Sequence, residues 1–353
     1  MPEKLNVGIV GCGAIAGIRH IPAFLKLKNN IRLVAFCDRN ESLAREAARK
    51  NDIAGIYSDL TEMLAKEKLD IVDICTPPQT HAPLTIAAIE SGCHVILEKP
   101  MALKTSDCDD MIKATQKYQK KLCVIHNQIY YPPVIKARRL VAEGAIGDFI
   151  GMRIFMSDPR DEMIMRKDYW IHQLPGGAIG ETGPHPVYKS IAFIGRVKNA
   201  EINASLRLEH PWAPFDEFRI DLEGEKGYSS IVISYSSQRR ASTIDIMGTE
   251  GNLHLDLLSM LVVRQGKNDS MSPVPLAFNA LGNALSRIVG VKINALRVLT
   301  GQGEFYGHNT IIKDFVSSIL EDREPPITGE DGRETTRALE MVVAKLKEKY
   351  GTA

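Results

Sequence analysis

A glutamate, a lysine and a proline stand together directly after a short apolar run, Val95 to Leu97. The run is rich in β-branched residues and is stopped by Pro100, which predicts a buried strand that ends at Glu98. In an open parallel sheet, ligands bind at the carboxyl ends of the strands. Because Pro100 also disfavours helical geometry at Lys99, we expect Lys99 to stand at the opening of a cleft. A solvated Glu–Lys pair on a loop would have the same sequence.

A glycine-rich pattern, Gly11-Cys12-Gly13-Ala14-Ile15-Ala16, follows the predicted strand Leu5 to Val10. Gly11 allows a tight turn, and Gly13 lets the backbone approach a pyrophosphate that the amides of a helix N-terminus bind. A helix is expected from Ile15 to Lys26, with a kink or break at Pro22.

An acidic residue follows the second predicted strand, Ile31 to Cys37, and this is Asp38. At that position a carboxylate accepts hydrogen bonds from the adenosine ribose hydroxyls. Strand, glycine turn, helix, strand and acid in this order predict dinucleotide binding. Asp38 favours NAD because a carboxylate repels the 2′-phosphate of NADP, while the neighbouring Arg39 leaves NADP possible.

Predicted strands and helices alternate throughout the first part of the chain, which predicts a right-handed, doubly wound parallel sheet. The loop Thr76-Pro77-Pro78-Gln79-Thr80-His81 follows the predicted strand Ile71 to Cys75. Its two prolines make it rigid, and it is expected to line the nicotinamide side of the cleft.

Taken together, the glycine pattern, Asp38, the Thr76–His81 loop and Glu98-Lys99-Pro100 resemble the glucose–fructose oxidoreductase / inositol dehydrogenase / rhizopine catabolism (Gfo/Idh/MocA) family. The resemblance implies an α/β protein with an N-terminal Rossmann domain, residues 1–125. It also implies a C-terminal α/β domain, 126–353, with an open, mostly antiparallel sheet and helices 307–350 that pack back towards the first domain. The resemblance further implies that Lys99 is the active-site lysine. The residues expected to bind the cofactor are Gly11, Gly13, Ala14, Ile15, Asp38, Arg39, Thr76, Pro77, His81, Glu98 and Lys99.

Beyond residue 148, apolar and polar residues alternate with period two, as in a half-exposed antiparallel sheet. The predicted strands are 149–156, 201–208, 217–222, 229–235, 241–246 and 252–258. In the crossover between the domains, Gln128 and Tyr130 are polar and aromatic residues that suit a sugar-like ligand, although an ordinary domain seam would look similar.

The stretch from Trp170 to His185 resembles the second signature of the family, a glycine pair followed by an acid and then a histidine. If a helix follows the glycines, Glu181 and His185 lie one turn apart, so the carboxylate can orient the imidazole and raise its pKa. Two departures are evident: Glu181 replaces the usual aspartate, and Tyr188 stands where an acid is common. The expected catalytic residues are Lys99, His185 and Glu181.

Trp170 and His172 are expected to contact the substrate. His172, Glu181 and His185 could ligate a metal, but their spacing is not H-E-x-x-H and the sequence offers no evident fourth ligand. No metal is therefore expected.

The bulk properties exclude several classes of protein. The chain has 353 residues, enough for two domains, and a net charge of +1 with no basic block, so neither nucleic acid nor membrane is expected as partner. Six singly spaced cysteines indicate reduced thiols in a cytoplasmic protein. Residues 273–300 look like an insertion with helical apolar spacing, interrupted by Gly282 and Gly290. Burial against its own domain or a neighbouring subunit is favoured over membrane contact.

The resulting hypothesis is an NAD(P)-dependent oxidoreductase that acts on a secondary alcohol or ketone of a sugar, sugar derivative or cyclitol. His185, helped by Glu181, would take the hydroxyl proton while Lys99 hydrogen-bonds the same oxygen. An NAD-dependent glycoside hydrolase of the same family and a non-catalytic dinucleotide-binding sensor are the alternatives. A homodimer or homotetramer, formed through the second-domain sheet, is expected.

Overall fold

The computed structural model describes residues 4–159, 162–208, 212–266, 272–299 and 307–351. The chain divides into two compact units. The first unit combines Met1–Asn127 with Gly307–Arg337, and the second combines Gln128–Tyr306 with Ala338–Ala353.

The first unit is built on a six-stranded sheet in which every neighbouring pair is parallel. Its strands are β1 (Leu5–Val10), β2 (Ile31–Cys37), β3 (Gly55–Tyr57), β4 (Ile71–Ile74), β5 (His94–Leu97) and β6 (Leu122–Val124). The strand order β3-β2-β1-β4-β5-β6 is that of a dinucleotide-binding fold. The predicted doubly wound parallel sheet is therefore confirmed.

The helices of this unit follow local signals in the sequence. They are α1 (Ile21–Leu25), α2 (Glu41–Asn51), α3 (Leu60–Lys66), α4 (His81–Glu90), α5 (Thr105–Tyr118) and α11 (His308–Leu320). Asn40 caps α2 by accepting from the amide of Ser42, and Asp59 caps α3 by accepting from the amide of Glu62.

The helical stretch after the glycine turn changes type instead of breaking at Pro22. Residues Ala16–His20 form a π-helical segment, and α1 follows with Pro22 in its first turn. A proline donates no backbone hydrogen bond and crowds the carbonyl four residues before it, so the wider π-helical turn accommodates it. His20, the last residue of that segment, is completely buried.

The second unit contains a seven-stranded sheet. Its strands are β7 (Phe149–Ser157), β8 (Val197–Ser205), β9 (Glu217–Gly224), β10 (Tyr228–Ser234), β11 (Ala241–Gly248), β12 (Gly251–Asp256) and β13 (Leu261–Gly266), in the order β13-β12-β11-β7-β10-β9-β8. Only β7 and β10 pair in parallel, so the expected mostly antiparallel sheet is confirmed. Strand β13 was not predicted.

The remaining helices are α6 (Pro132–Ala142), α7 (Glu162–Met165), α8 (Ala178–Thr182), α9 (Pro184–Ile194), α10 (Pro273–Leu299) and α12 (Gly329–Tyr350). The interruptions expected at Gly282 and Gly290 are wrong, because α10 is one continuous helix of 27 residues. A glycine inside a helix costs only about 1 kcal/mol relative to alanine, which neighbouring turns can offset. Among the described residues, no helix has both the length and the apolar character needed to cross a bilayer.

Candidate functional site

The glycine turn between β1 and the π-helical segment has the geometry that a pyrophosphate requires. Gly11 has φ +88°, and a Cβ there would stand 2.8 Å from the backbone carbonyl of Cys75. A side chain is therefore excluded at this position. Gly13 has no neighbouring heavy atom within 4 Å of its Cβ position, so a ligand can approach its backbone. These two features fit the dinucleotide that the sequence predicts.

Asp38 connects the end of β2 to the glycine turn. Its Oδ2 accepts from the Cys12 amide at 2.7 Å, and its Oδ1 accepts from the Asn40 amide at 2.8 Å. The carboxylate is thus held beside the turn in a fixed orientation. Arg39 is exposed, and Gly13 and Ala14, with residues of α1 and α2, line a cleft of about 510 Å³.

His81 joins the two loops that carry the other predicted cofactor residues. Its Nε2 lies 2.8 Å from the Thr76 carbonyl oxygen, and its Nδ1 lies 2.9 Å from the Pro100 carbonyl oxygen. The ring is completely buried, and burial lowers the pKa of His81. His81 therefore fixes the Thr76 loop against the Lys99–Pro100 turn.

Beneath Lys99 lies a buried cluster of charged side chains that sequence reasoning missed. His20 Nδ1 lies 2.9 and 3.0 Å from the two carboxylate oxygens of Asp73, and His20 Nε2 lies 2.9 Å from Glu98 Oε1. Since a carboxylate only accepts hydrogen bonds, both ring nitrogens of His20 must donate, and the ring is an imidazolium. The second carboxylate oxygen of Glu98 accepts from the Lys99 amide at 3.0 Å.

The ionisation of this cluster agrees with its geometry. Burial lowers the pKa of His20, but the Asp73 carboxylate outweighs burial, so the pKa of His20 lies well above its ordinary value. Burial raises the pKa of Glu98, but hydrogen bonds from His20 and His308 hold that pKa well below its usual range. Glu98 is thus an ionised, buried residue that faces His20, and half-buried Lys99 follows it.

His308, at the start of α11, completes the cluster. Its Nε2 lies 3.4 Å from Glu98 Oε1, whereas its Nδ1 is buried without a hydrogen-bond partner. Burial lowers the pKa of His308. Among the described residues, His20, Glu98 and His308 form one group with metal-ligand spacing, and His20, Asp73 and Cys75 form another. Neither group includes a residue of the Trp170–His185 stretch.

In the second unit, three predicted site residues line one cleft of about 260 Å³. Gln128, Glu181 and His185 share this cleft with polar side chains that were not predicted: Tyr131, Ser157, Asp158, Thr182, Tyr235, Arg240 and Ser242. Hydroxyl, carboxylate and guanidinium groups around a cavity of this size suit a small polyhydroxylated molecule. Trp170 and His172 lie instead in a short 3-10 turn, and neither they nor Tyr130 line the cleft.

A chain of hydrogen bonds orients His185. Its Nδ1 lies 2.8 Å from the Tyr188 hydroxyl, which also accepts from the Gln128 amide at 3.1 Å. Tyr188 lies three residues after the histidine and contacts it one helical turn along α9. The Gln128 side-chain oxygen accepts from Lys189 Nζ at 2.7 Å. Lys189 is completely buried, and burial lowers its pKa to about 7.

Two of the missed residues left the same kind of signal in the sequence. Asp73 interrupts the otherwise apolar strand β4, and Lys189 interrupts the apolar helix α9. A charged side chain that is forced into a core needs a partner, so each position indicated an unidentified buried contact. Nothing local indicated that His20 would be the partner of Asp73.

Comparison with known proteins identifies the chain. Residues 5–126 match an oxidoreductase family with an NAD-binding Rossmann fold, and residues 134–254 match the GFO/IDH/MocA C-terminal domain. The chain belongs to the Gfo/Idh/MocA family. The family recognised from the glycine turn, Asp38 and Glu98-Lys99-Pro100 is thereby confirmed.

Curated relatives of this Gfo/Idh/MocA chain include enzymes of two activities. D-apiose dehydrogenase of Paraburkholderia graminis is 27% identical over 285 residues, which are 78% of this chain and 75% of that protein. Alpha-N-acetylgalactosaminidase of Shewanella oneidensis is 30% identical over 157 residues, 42% of this chain and 34% of that protein. The match covers only part of two further relatives: 63% of the length of Oxidoreductase P35 of Formosa agariphila and 41% of the length of D-glucoside 3-dehydrogenase of Escherichia coli.

Solved structures share the fold of the whole chain. The WlbA dehydrogenase from Bordetella pertussis, crystallised with NADH and UDP-GlcNAcA, aligns with a TM-score of 0.79 at 20% identity. The alignment covers 98% of each chain. At this identity the likeness shows the fold alone.

The charge of His20 predicts a pH dependence for the stability of the first unit. Its raised pKa adds stability that is complete below the unfolded-state pKa of about 6.5 and is lost as pH rises through the folded-state pKa. The lowered pKa of Glu98 changes the stability only in the acid range, so it does not contribute to the pH dependence above neutrality. The excess stability of the wild type over His20→Gln is therefore expected to shrink from pH 6 towards alkaline pH.

Hydrogen exchange of peptides from β4 and β5 measures this difference, with wild type and variant compared at the same pH. Fluorescence is unsuitable because both tryptophans, Trp170 and Trp212, belong to the second unit. A difference that stays constant across the range would show that His20 carries no extra proton in the folded state.

Proposed function

We propose that the chain is an NAD(P)-dependent oxidoreductase that transfers a hydride between nicotinamide and a secondary alcohol or ketone of a sugar, sugar derivative or cyclitol. The observation that carries this proposal is the position of Lys99. It follows β5 at the carboxyl edge of the sheet that bears the glycine turn, and Glu98 accepts a hydrogen bond from its backbone amide. A fixed lysine beside a dinucleotide fold suits electrostatic stabilisation of an oxyanion.

In this proposal the Lys99 ammonium donates to the substrate oxygen at the reacting carbon and stabilises the negative charge that develops there. The glycine turn and Asp38 would hold the dinucleotide, whose nicotinamide would supply the hydride-transfer chemistry. The His81 contacts with Thr76 and Pro100 hold the loops on either side of this lysine, so little reorganisation is needed.

We assign the proton transfer to His185 Nε2. For His185 to act as a base through Nε2, its Nδ1 must carry the proton and donate to the Tyr188 oxygen. In the reverse direction the imidazolium returns its proton to the alkoxide. Glu181 lines the same cleft and is proposed to favour the protonated ring.

The substrate class rests on the lining of the second-unit cleft and on the names of the relatives. Eight of the polar lining side chains carry hydroxyl, carboxylate or guanidinium groups, and D-apiose dehydrogenase acts on a sugar by name. The galactosaminidase among the relatives favours one further candidate, an NAD-dependent glycoside hydrolase.

Cofactor fluorescence of the purified protein, followed by a panel of sugars, nucleotide-linked sugars, cyclitols and glycosides, tests the proposal. A stoichiometric change in NADH with a free sugar or cyclitol supports the oxidoreductase. Release of an aglycone without net NADH identifies the glycosidase. Bound cofactor with no response to any compound contradicts both.

Replacing Lys99 by methionine is expected to lower kcat by about 10²–10³-fold, the typical cost of losing one oxyanion donor. The affinity for NADH, measured by fluorescence titration, should remain nearly unchanged because the glycine turn and Asp38 are intact. Lys104→Met, at an exposed position five residues away, is the matched control. Full turnover in Lys99→Met would refute the role of this lysine.

Removing the hydroxyl of Tyr188 with Tyr188→Phe is expected to lower kcat about tenfold or more, because Nδ1 of His185 loses a hydrogen-bond partner. The pH profile of kcat/KM should shift, since the pKa of the histidine depends on that contact. NADH affinity should not change. Tyr228→Phe, at an exposed position on β10, controls for the substitution itself, and an unchanged pH profile in Tyr188→Phe would exclude an orienting role.

We also propose that the chain prefers NAD over NADP, and we attribute this preference to the charge of Asp38. Asp38→Asn keeps an oxygen that accepts from the Cys12 amide but removes the charge, so NADPH should gain on NADH by on the order of tenfold in Kd. Asp52→Asn, at an exposed position after α2, is the control. Equal ratios in wild type and Asp38→Asn would assign the preference to another group.

A further inference from the structure

The long helix α10 docks on its own domain through a small and polar face. The Asn294 side-chain amide donates to the carbonyl oxygens of Ser259 at 2.9 Å and Met260 at 2.8 Å. One turn earlier, a Cβ on Gly290 would collide with the Leu261 side chain at the start of β13. A glycine is required there for α10 to approach the strand.

The opposite face of α10 is apolar and exposed. Its large side chains are separated by three, four or eight residues, and these spacings place them on one side of a helix. They are between 53% and 83% exposed, and we call them the outer face: Phe278, Leu281, Leu285, Ile288, Leu296 and Leu299. Amphipathic helices normally bury this side. The burial against its own domain considered from the sequence is therefore wrong for the outer face.

The charges on α10 are of one sign. Residues 273–299 contain no aspartate or glutamate, and Arg287 and Lys292 are exposed. Lys292 lies within the outer face, one turn from Ile288 on one side and from Leu296 on the other. The face therefore combines an apolar surface with a central positive charge.

We propose that the outer face of α10 binds the surface of an anionic phospholipid bilayer, with the helix lying in the plane of the interface. The apolar side chains would enter the boundary between headgroups and acyl chains. Lys292 would extend along them to reach the lipid phosphates. This inference goes beyond the proposed function and does not depend on it.

A second copy of the chain fits the outer face less well. In a symmetric pair of α10 helices, Lys292 would enter a seam that offers no acidic side chain from residues 273–299, and an unpaired buried charge is costly. The exposed Val289 and Val291, which flank the outer face, also widen the apolar surface beyond the narrow seam of a two-helix coil. The sequence-based case against membrane contact relied on a short pattern, on breaks at Gly282 and Gly290, and on a charge that is not strongly basic. The continuous helix of 27 residues removes the first two of these reasons.

Vesicle flotation of the full-length protein tests the proposal. Vesicles of equal parts phosphatidylcholine and phosphatidylserine should carry the wild type, and pure phosphatidylcholine vesicles should carry much less. The double variant Leu281→Gln/Leu285→Gln is expected to lower the partition coefficient at least about tenfold. Lys292→Glu should also weaken binding to the anionic vesicles, and added salt should act in the same direction.

The controls are substitutions of the same kind on α6, where Ile135 and Lys136 are exposed. Ile135→Gln and Lys136→Glu should float like the wild type. Because all of these side chains are exposed, the variants should keep the wild-type thermal unfolding midpoint, which confirms that they fold.

Two results would overturn the proposal. In the first, the wild type stays unbound, or the outer-face variants float as well as it does. In the second, light scattering shows a lipid-free dimer that Leu281→Gln/Leu285→Gln dissociates, while no flotation occurs. The outer face would then be an interface between two copies.

Discussion

The first unit depends on one buried imidazolium held between two carboxylates. His20 brings the charges of Asp73 and Glu98 into a core that otherwise excludes them. Breaking such a buried pair by removing one partner costs roughly 3–5 kcal/mol, because the remaining charges stay buried. The same contacts join the π-helical segment to β4 and β5. They also fix Glu98, which accepts a hydrogen bond from the amide of Lys99. Burying these charges is costly, but the contacts between them rigidly support the backbone of Lys99, the residue to which we assign oxyanion stabilisation.

The second unit also buries an ionisable side chain, in this case a lysine. Among the described residues, buried Lys189 donates to the side-chain oxygen of Gln128 and to no carboxylate, and burial lowers its pKa to about 7. Its bond to Gln128 fixes a side chain that lines the cleft, and the Gln128 amide in turn binds the Tyr188 hydroxyl. Gln128 and Tyr188 thus connect the buried Lys189 to His185.

Helix α10 distributes its polar and apolar residues in the opposite way to an ordinary amphipathic helix, which buries its apolar side. Its polar and small residues Asn294 and Gly290 face the domain, whereas the outer face points away from it. A solvent-exposed apolar face of this length is unfavourable in water. The arrangement is consistent with a helix that contacts its own domain on one side and a surface less polar than water on the other, as the proposed lipid contact requires.

Four features could be predicted from the amino-acid sequence: the parallel sheet, the glycine turn, the position of Asp38 after β2 and the mostly antiparallel second sheet. Each depends on residues within a few positions of one another, whose periodicity, turn preferences and capping act locally. The partners of His20 could not be predicted in this way, because they lie 53 and 78 positions away along the chain and are brought to it by the packing of distant elements. The same packing determines that the outer face of α10 is exposed. Local patterns show that Asp73 or Lys189 needs a partner, but the packing of distant elements selects which side chain supplies it.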